Sequence, residues 1–194
     1  MTGLRERKKD KLRAELLGAA LDLFDRQGFS ETTIHQIADA VDVSPRTFLR
    51  YFATKEDVVV SWVEESTAVF LTSFLGRPAE EAPDVALLAG ARAMLAHYTA
   101  KAEFYLTIER AIASSSSIRA RKLEMTSTLA EQVTAALVQR APGADPLQLA
   151  LYPAVVFAML RAVIGAWVES EGTRPLRDLF EEAVTLVTFR PMAG

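Results

Sequence analysis

Cysteine and asparagine are both absent from this 194-residue chain, and histidine occurs only as His35 and His97. Without cysteine there is no disulfide framework, no thiol nucleophile and no thiolate metal ligand. Without asparagine there are no N-glycosylation sites, and one of the two amide side chains that read adenine is missing. The two histidines lie far apart in sequence and in no HExxH pattern; GxGxxG, P-loop and GxSxG motifs are also missing. Glu64-Glu65 and Glu181-Glu182 are adjacent pairs, so each pair splits over different helix faces and shared acid–base work is not expected. This reads as a non-enzyme with no cofactor and no metal. Strand-like alternation is scarce too, and every long segment carries helical spacing, which predicts an all-α fold. The charged start, MTGLRERKKDKLRAELL, lacks the apolar core of a signal peptide, so the cytoplasm is the expected location.

Hydrophobic residues make up 50% of the chain, enough for a real core in one domain or two small ones. The net charge of −3 argues at first against a nucleic-acid partner. Its distribution argues otherwise. Residues 1–13 hold six Lys/Arg against two Asp/Glu, and residues 1–57 balance at ten against ten. A basic arm on a neutral head suffices for phosphate contact. The plainer reading of that arm is a solvated helix start.

The most informative stretch is TIHQIADAVDVSPRTFLRYFATKED, Thr33 to Asp57. Ile34, Ile37, Ala38 and Val41 recur at helical spacing, Thr33 can cap that helix, and Gln36 completes a capping box. Asp42-Val43-Ser44 forms the turn. Ser44 caps a second helix, Pro45 to about Tyr51, with Pro45 at its first position. Phe48 and Phe52 face inward, which frees Arg46, Thr47 and Arg50. Thr54 and Asp57 make a second box at the start of the next helix. Two short capped helices across a tight turn describe a helix-turn-helix, whose second helix enters the DNA major groove. An arginine bidentate to guanine is the commonest specific contact, so Arg46 and Arg50 are the candidates for base reading, with Thr47 on a thymine methyl or a phosphate. Thr33, Ser44, Pro45, Tyr51 and Lys55 complete the candidate DNA-binding set, Thr33, Ser44, Tyr51 and Lys55 on phosphates. His35 sits on an exposed face, where a phosphate contact is possible but unforced.

Upstream, a helix from about Asp10 to Gln27 buries Leu12, Leu16, Ala20 and Leu23 or Phe24, and Gly28 ends it. Downstream, a helix from Lys55 to about Leu75 carries Val58 or Val59, Trp62, Ser66, Phe70 and Phe74 on one face. A loop follows at 76–83. The next helix, Asp84 to about Ala100, should bury Val85, Leu88, Ala91, Leu95 and Tyr98. A shorter helix runs from Glu103 to Ala113, and the run Ser114 to Ser117 reads as a turn and cap. A long helix then reaches Arg140. Asp145 and Pro146 open another to Ser170, and Leu176 to Val187 make a last amphipathic stripe. Leu147 to Val168 is long and apolar enough to span a bilayer. Arg161 and Pro153 interrupt it and no positive flank orients it, so it reads as a helix covered on both sides, by its own core and by a second subunit.

The stretch TTIHQIADAVDVSPRTFLRYFATKEDVV, preceded by LRAELLGAALDLFDRQGF, resembles the TetR family of bacterial transcription regulators over roughly residues 10–60. Two positions depart from that pattern. Asp42 stands where the family has a turn glycine with φ > 0, a conformation that Asp tolerates better than most residues. Leu49 stands where the family favours an aromatic that often touches the DNA backbone. The resemblance implies a helix-turn-helix domain at 1–54 and a helical ligand-binding and dimerisation domain at 55–194. It also implies a homodimer through helices 145–171 and 175–190, and a pocket among helices four to eight for an apolar, sizeable effector. Trp62, Phe70, Phe74, Met94, His97, Tyr98, Tyr105, Met125, Phe157 and Trp167 are either lining or plain core. Trp62, Phe70, Met94, Tyr98, Tyr105, Glu109, Phe157 and Arg161 form the expected ligand set, with Glu109 and Arg161 as polar anchors if buried. The function so implied is a repressor released from a pseudo-palindromic double-stranded operator by a small molecule, with no membrane partner. The competing readings are a small-molecule-binding helical protein with a weakened DNA-reading head, and an enzyme on a helical scaffold, which lacks both nucleophile and metal ligands.

Overall fold

The computed structural model describes residues 3–187, and among these every regular element is an α-helix. The order is α1 Leu4–Gln27, α2 Ile34–Asp39, α3 Pro45–Leu49, α4 Glu56–Leu75, α5 Pro83–Ala100, α6 Ala102–Ser114, α7 Ser116–Arg140, α8 Pro146–Glu169 and α9 Leu176–Leu186. The all-α expectation holds. Most boundaries agree within a residue or two, and three differences have physical causes. Helix α1 starts at Leu4 instead of Asp10, because Glu6, Arg7, Lys8 and Lys9 are good helix formers with nothing among them to break a turn. The serine run interrupts the chain only at Ser115, so α6 and α7 nearly abut. Val85, expected inside, is 43% exposed, and α5 instead buries Ala86, Leu87, Leu88, Gly90, Ala91, Met94, Leu95 and Tyr98. The expected end of the last helix, 188–190, lies outside the described residues.

The chain divides into two compact units, 1–62 with 107–121, and 63–106 with 122–194. These do not follow the expected division at 54/55. Residues 55–62 open α4 and stay with the head through the bonds between Thr54 and Asp57. Residues 107–121 join it through two side chains. Thr107 donates a 2.9 Å hydrogen bond to Asp25 on α1, and Arg121 pairs with Asp57 on α4.

In the first unit Leu16, Leu17, Ala20 and Phe24 of α1 are buried, as are Ile37, Ala38, Phe48 and Phe52. Phe24 meets Phe29 at 5.1 Å and Phe48 meets Phe52 at 5.5 Å between ring centroids. The second unit has one continuous core that includes Phe70, Leu87, Leu95, Val133, Leu137, Val156, Val163 and Phe180. Gly90 is required there, since a Cβ would stand 3.1 Å from the Phe70 carbonyl. Arg92 on α5 holds Glu181 on α9 by a two-pronged ion pair at 2.7 and 3.0 Å. Arg140 ends α7 with its guanidinium over the Phe74 ring, donating to the carbonyls of Phe74, Arg77 and Pro78.

Candidate functional site

Helix α1 ends at Gly28, whose φ of 83° and ψ of 158° belong to a region essentially reserved for glycine. The chain turns there, and Thr32 Oγ1 donates to the Gly28 carbonyl at 2.8 Å. Gln27 Nε2 then reaches three acceptors: the Glu31 carbonyl, Thr32 Oγ1 and Gln36 Oε1. Thr33 and Gln36 form the expected capping box, Gln36 N–H to Thr33 Oγ1 at 3.2 Å and Thr33 N–H to Gln36 Oε1 at 2.8 Å. The end of α1 and the start of α2 are thus wired together by side chains.

The turn after α2 is a Schellman motif. Val43 N–H donates to the Ala38 carbonyl at 3.0 Å and Asp42 N–H to Asp39 at 3.2 Å, with Asp42 at φ 55°. The left-handed conformation expected at Asp42 is present, at the cost that a non-glycine residue brings to it. Ser44 caps α3, its Oγ accepting Thr47 N–H at 3.2 Å and lying 3.0 Å from Thr47 Oγ1. Pro45 occupies the first position. Phe48 is fully buried, which fixes the opposite face outward.

On that face Arg46 and Arg50 are exposed. Among the described residues neither guanidinium meets an acceptor or a carboxylate, so both keep their full donor capacity. Leu49 beside them is 50% exposed. Thr33 and Ser44 are exposed, while Pro45, Thr47 and Tyr51 are half-buried. Arg13 of the basic run places its guanidinium 5.2 Å from the Phe52 ring, a contact no spacing rule announces.

Lys55 departs from its expected role. Its ammonium donates to the carbonyls of Phe29 at 2.6 Å and Thr32 at 2.7 Å, and lies 4.2 Å from the Phe29 ring centre. Burial lowers its pKa, against the nearby charges of Glu56 and Glu31. It fastens the α1–α2 loop, a structural role beyond the expected phosphate contact. The signal missed was the loop itself: unpaired carbonyls after a helix end call for a cation.

The expected ligand residues separate. Trp62 and Glu109 belong to the first unit; Phe70, Met94, Tyr98, Tyr105, Phe157 and Arg161 belong to the second. Within the second, Phe70 and Phe157 meet at 5.1 Å, and Tyr98 stacks on Tyr105 at 4.0 Å. Met94, Tyr98, Tyr105 and Phe157 are all buried. Glu109 is buried as well, but Arg161 lies on the exposed face of α8, so it is no interior anchor. The reason is periodicity, for Arg161 falls in line with exposed Ala150, Ala154 and Ala158. Tyr105 also sits inside. Its hydroxyl is buried with no hydrogen-bond partner among the described residues, and burial together with the charge of Glu65 raises its pKa. His97 stands edge-on to it at 5.5 Å, its Nε2 lying 3.3 Å from Glu65 Oε1 but off the line a hydrogen bond needs.

A capped helix, a left-handed turn and a short capped helix with two exposed arginines define a helix-turn-helix. Residues 16–61 match the model of the bacterial regulatory proteins, tetR family, and that stretch carries the family's N-terminal domain. The HTH-type transcriptional regulator TcmR of Streptomyces glaucescens is 45% identical over 93 residues, 48% of this chain and 41% of TcmR. The chain therefore spans about two fifths of that relative. Two solved structures share the fold along nearly the whole chain. The fatty acid degradation regulator FadR from Bacillus halodurans has a TM-score of 0.67 at 18% identity, covering 96% of this chain and 95% of that one. FadR of Thermus thermophilus, a repressor in complex with lauroyl-CoA, has a TM-score of 0.56 at 22% identity, covering 94% and 95%.

Proposed function

We propose that this protein is a cytoplasmic, non-enzymatic transcriptional repressor that binds a pseudo-palindromic operator as a homodimer and is released by a small, largely apolar effector. The observation that carries the DNA reading is the pair Arg46 and Arg50, exposed and unengaged on a helix anchored by buried Phe48. Thr33, Ser44, Thr47 and Tyr51 frame them for positioning on phosphates, with Pro45 starting the helix. The turn keeps its Schellman bonds from the N–H groups of Asp42 and Val43 despite the left-handed strain at Asp42.

The second copy is inferred from α8. Leu147 and Leu151, 64% and 47% exposed, continue into Ala154, Ala158 and Arg161 on one open face, which a partner helix pair would cover. Two recognition helices then meet successive major-groove faces about 34–36 Å apart, or a whole-turn multiple. The effector reading rests on the aromatic interior around Phe70, Met94, Tyr98, Tyr105 and Phe157, and on the acyl-CoA bound by the Thermus thermophilus structure. Helix α4, Glu56–Leu75, carries residues of both units, and it is the element on which we expect an effector to act. Release requires the effector to prefer the non-binding spacing, a coupling of about 1–3 kcal/mol in typical cases.

The test is fluorescence anisotropy of the purified protein with the DNA upstream of its own gene, at two salt concentrations, against random duplex. Preferential binding lost in Arg46→Ala supports the repressor reading. Equal affinity for both duplexes supports the small-molecule-binding alternative.

A further inference from the structure

A cleft of about 290 Å³ opens in the first unit, between the C-terminal end of α1 and the part of α6 from Thr107 to Ser114. That volume stands at the small end of ligand sites. Its apolar wall is Phe24 and Phe29, whose rings are tilted against each other at 5.1 Å. Its polar lining is Asp25, Thr107, Arg110 and Ser114. Thr107 spends its proton on Asp25 Oδ1, and Ser114 spends its own on the Ala111 carbonyl. What remains is one carboxylate with spare acceptor capacity and one guanidinium with all its donors.

These two opposite charges line one cleft, yet among the described residues they form no ion pair with each other or with a third group. A surface pair in contact gains little, but two opposite charges that line one cleft without pairing match a molecule carrying both signs. We propose that this cleft binds a small zwitterion with an apolar body, of the size and class of an apolar α-amino acid. Its carboxylate meets Arg110, its ammonium meets Asp25, and its side chain lies on Phe24 and Phe29. An anion alone is disfavoured by Asp25, and a cation alone by Arg110. The site is lined by residues of the first unit alone, and it stands against Gly28 and Phe29, whose carbonyls hold Thr32 and Lys55.

The experiment is calorimetric titration of the full-length protein, without DNA, with L-phenylalanine, 3-phenylpropionate and 2-phenylethylamine. The zwitterion should bind, with each singly charged analogue weaker by about tenfold or more. Arg110→Ala should cost L-phenylalanine about tenfold or more and leave 2-phenylethylamine no weaker. Asp25→Asn, which keeps an oxygen for Thr107, should do the converse with 3-phenylpropionate. Both positions are exposed, and an unchanged Tm confirms that the variants fold. No heat with any probe at millimolar concentration, equal affinity for all three, or binding indifferent to both substitutions would overturn the proposal. None of these outcomes depends on DNA binding.

Discussion

Arg121, five residues into α7, donates to the carboxylate of Asp57, the same group that caps α4 through Thr54. One carboxylate thus serves a helix cap and an ion pair together. Burial works against its charge, but the hydrogen bonds from Arg121 and Thr54 outweigh burial and lower its pKa.

A carboxylate with a depressed folded pKa stabilises fully above its unfolded value, about 3.9 for Asp. That contribution is lost as pH falls through the folded value. Asp57→Ala should cost about 1–2 kcal/mol at neutral pH, and Asp57→Asn should flatten the acid limb of the stability curve. Urea denaturation from pH 7 downward checks both. An acid limb unchanged in Asp57→Asn assigns it to other carboxylates, such as Glu181.

Lys55→Ala should lower stability by about 1–3 kcal/mol, because the carbonyls of Phe29 and Thr32 lose their donor. Its loss of DNA affinity should accompany a lower Tm and recover on cooling. Thermal melts beside anisotropy decide this; weaker binding at an unchanged Tm would return Lys55 to the phosphates.

Arg46→Ala and Arg50→Ala should leave Tm unchanged, since neither side chain holds another group among the described residues. Each should reduce base discrimination by about 1–3 kcal/mol at its own position in the site. Competition among single-base operator variants reads this directly.

Asp42→Gly should stabilise the head by up to about 1 kcal/mol, relieving the left-handed strain at φ 55°. Asp42→Val should cost more than that. Guanidinium midpoints of the two variants must move in opposite directions.

Tyr105→Phe removes a buried hydroxyl that has no partner, so stability should hold or rise by up to about 1 kcal/mol. A loss of stability would mean that the hydroxyl is satisfied by bound water.

What could be read in advance was whatever rests on neighbours in the chain. The Thr33–Gln36 and Thr54–Asp57 boxes, Ser44 before Pro45, Asp145 before Pro146 and the positive φ at Asp42 are all matters of three or four residues. Base-reading candidates followed because Phe48 fixes which side of a short helix faces out. Long-range partners left no such trace. Nothing in the spacing of Lys55 to Phe29, Arg140 to Phe74 or Thr107 to Asp25 marks them as contacts, since each depends on where a distant turn happens to fall. Val85 and Arg161 misled for the opposite reason: both sit on apolar helices whose composition suggests burial on faces the fold leaves open.

Arg140 has a mechanical consequence. By occupying the carbonyls of Phe74, Arg77 and Pro78 it pins the far end of α4 as a bolt pins one end of a beam. With those three carbonyls tied down, the last turn of α4 is held from fraying into the loop that follows, and the beam keeps its full length.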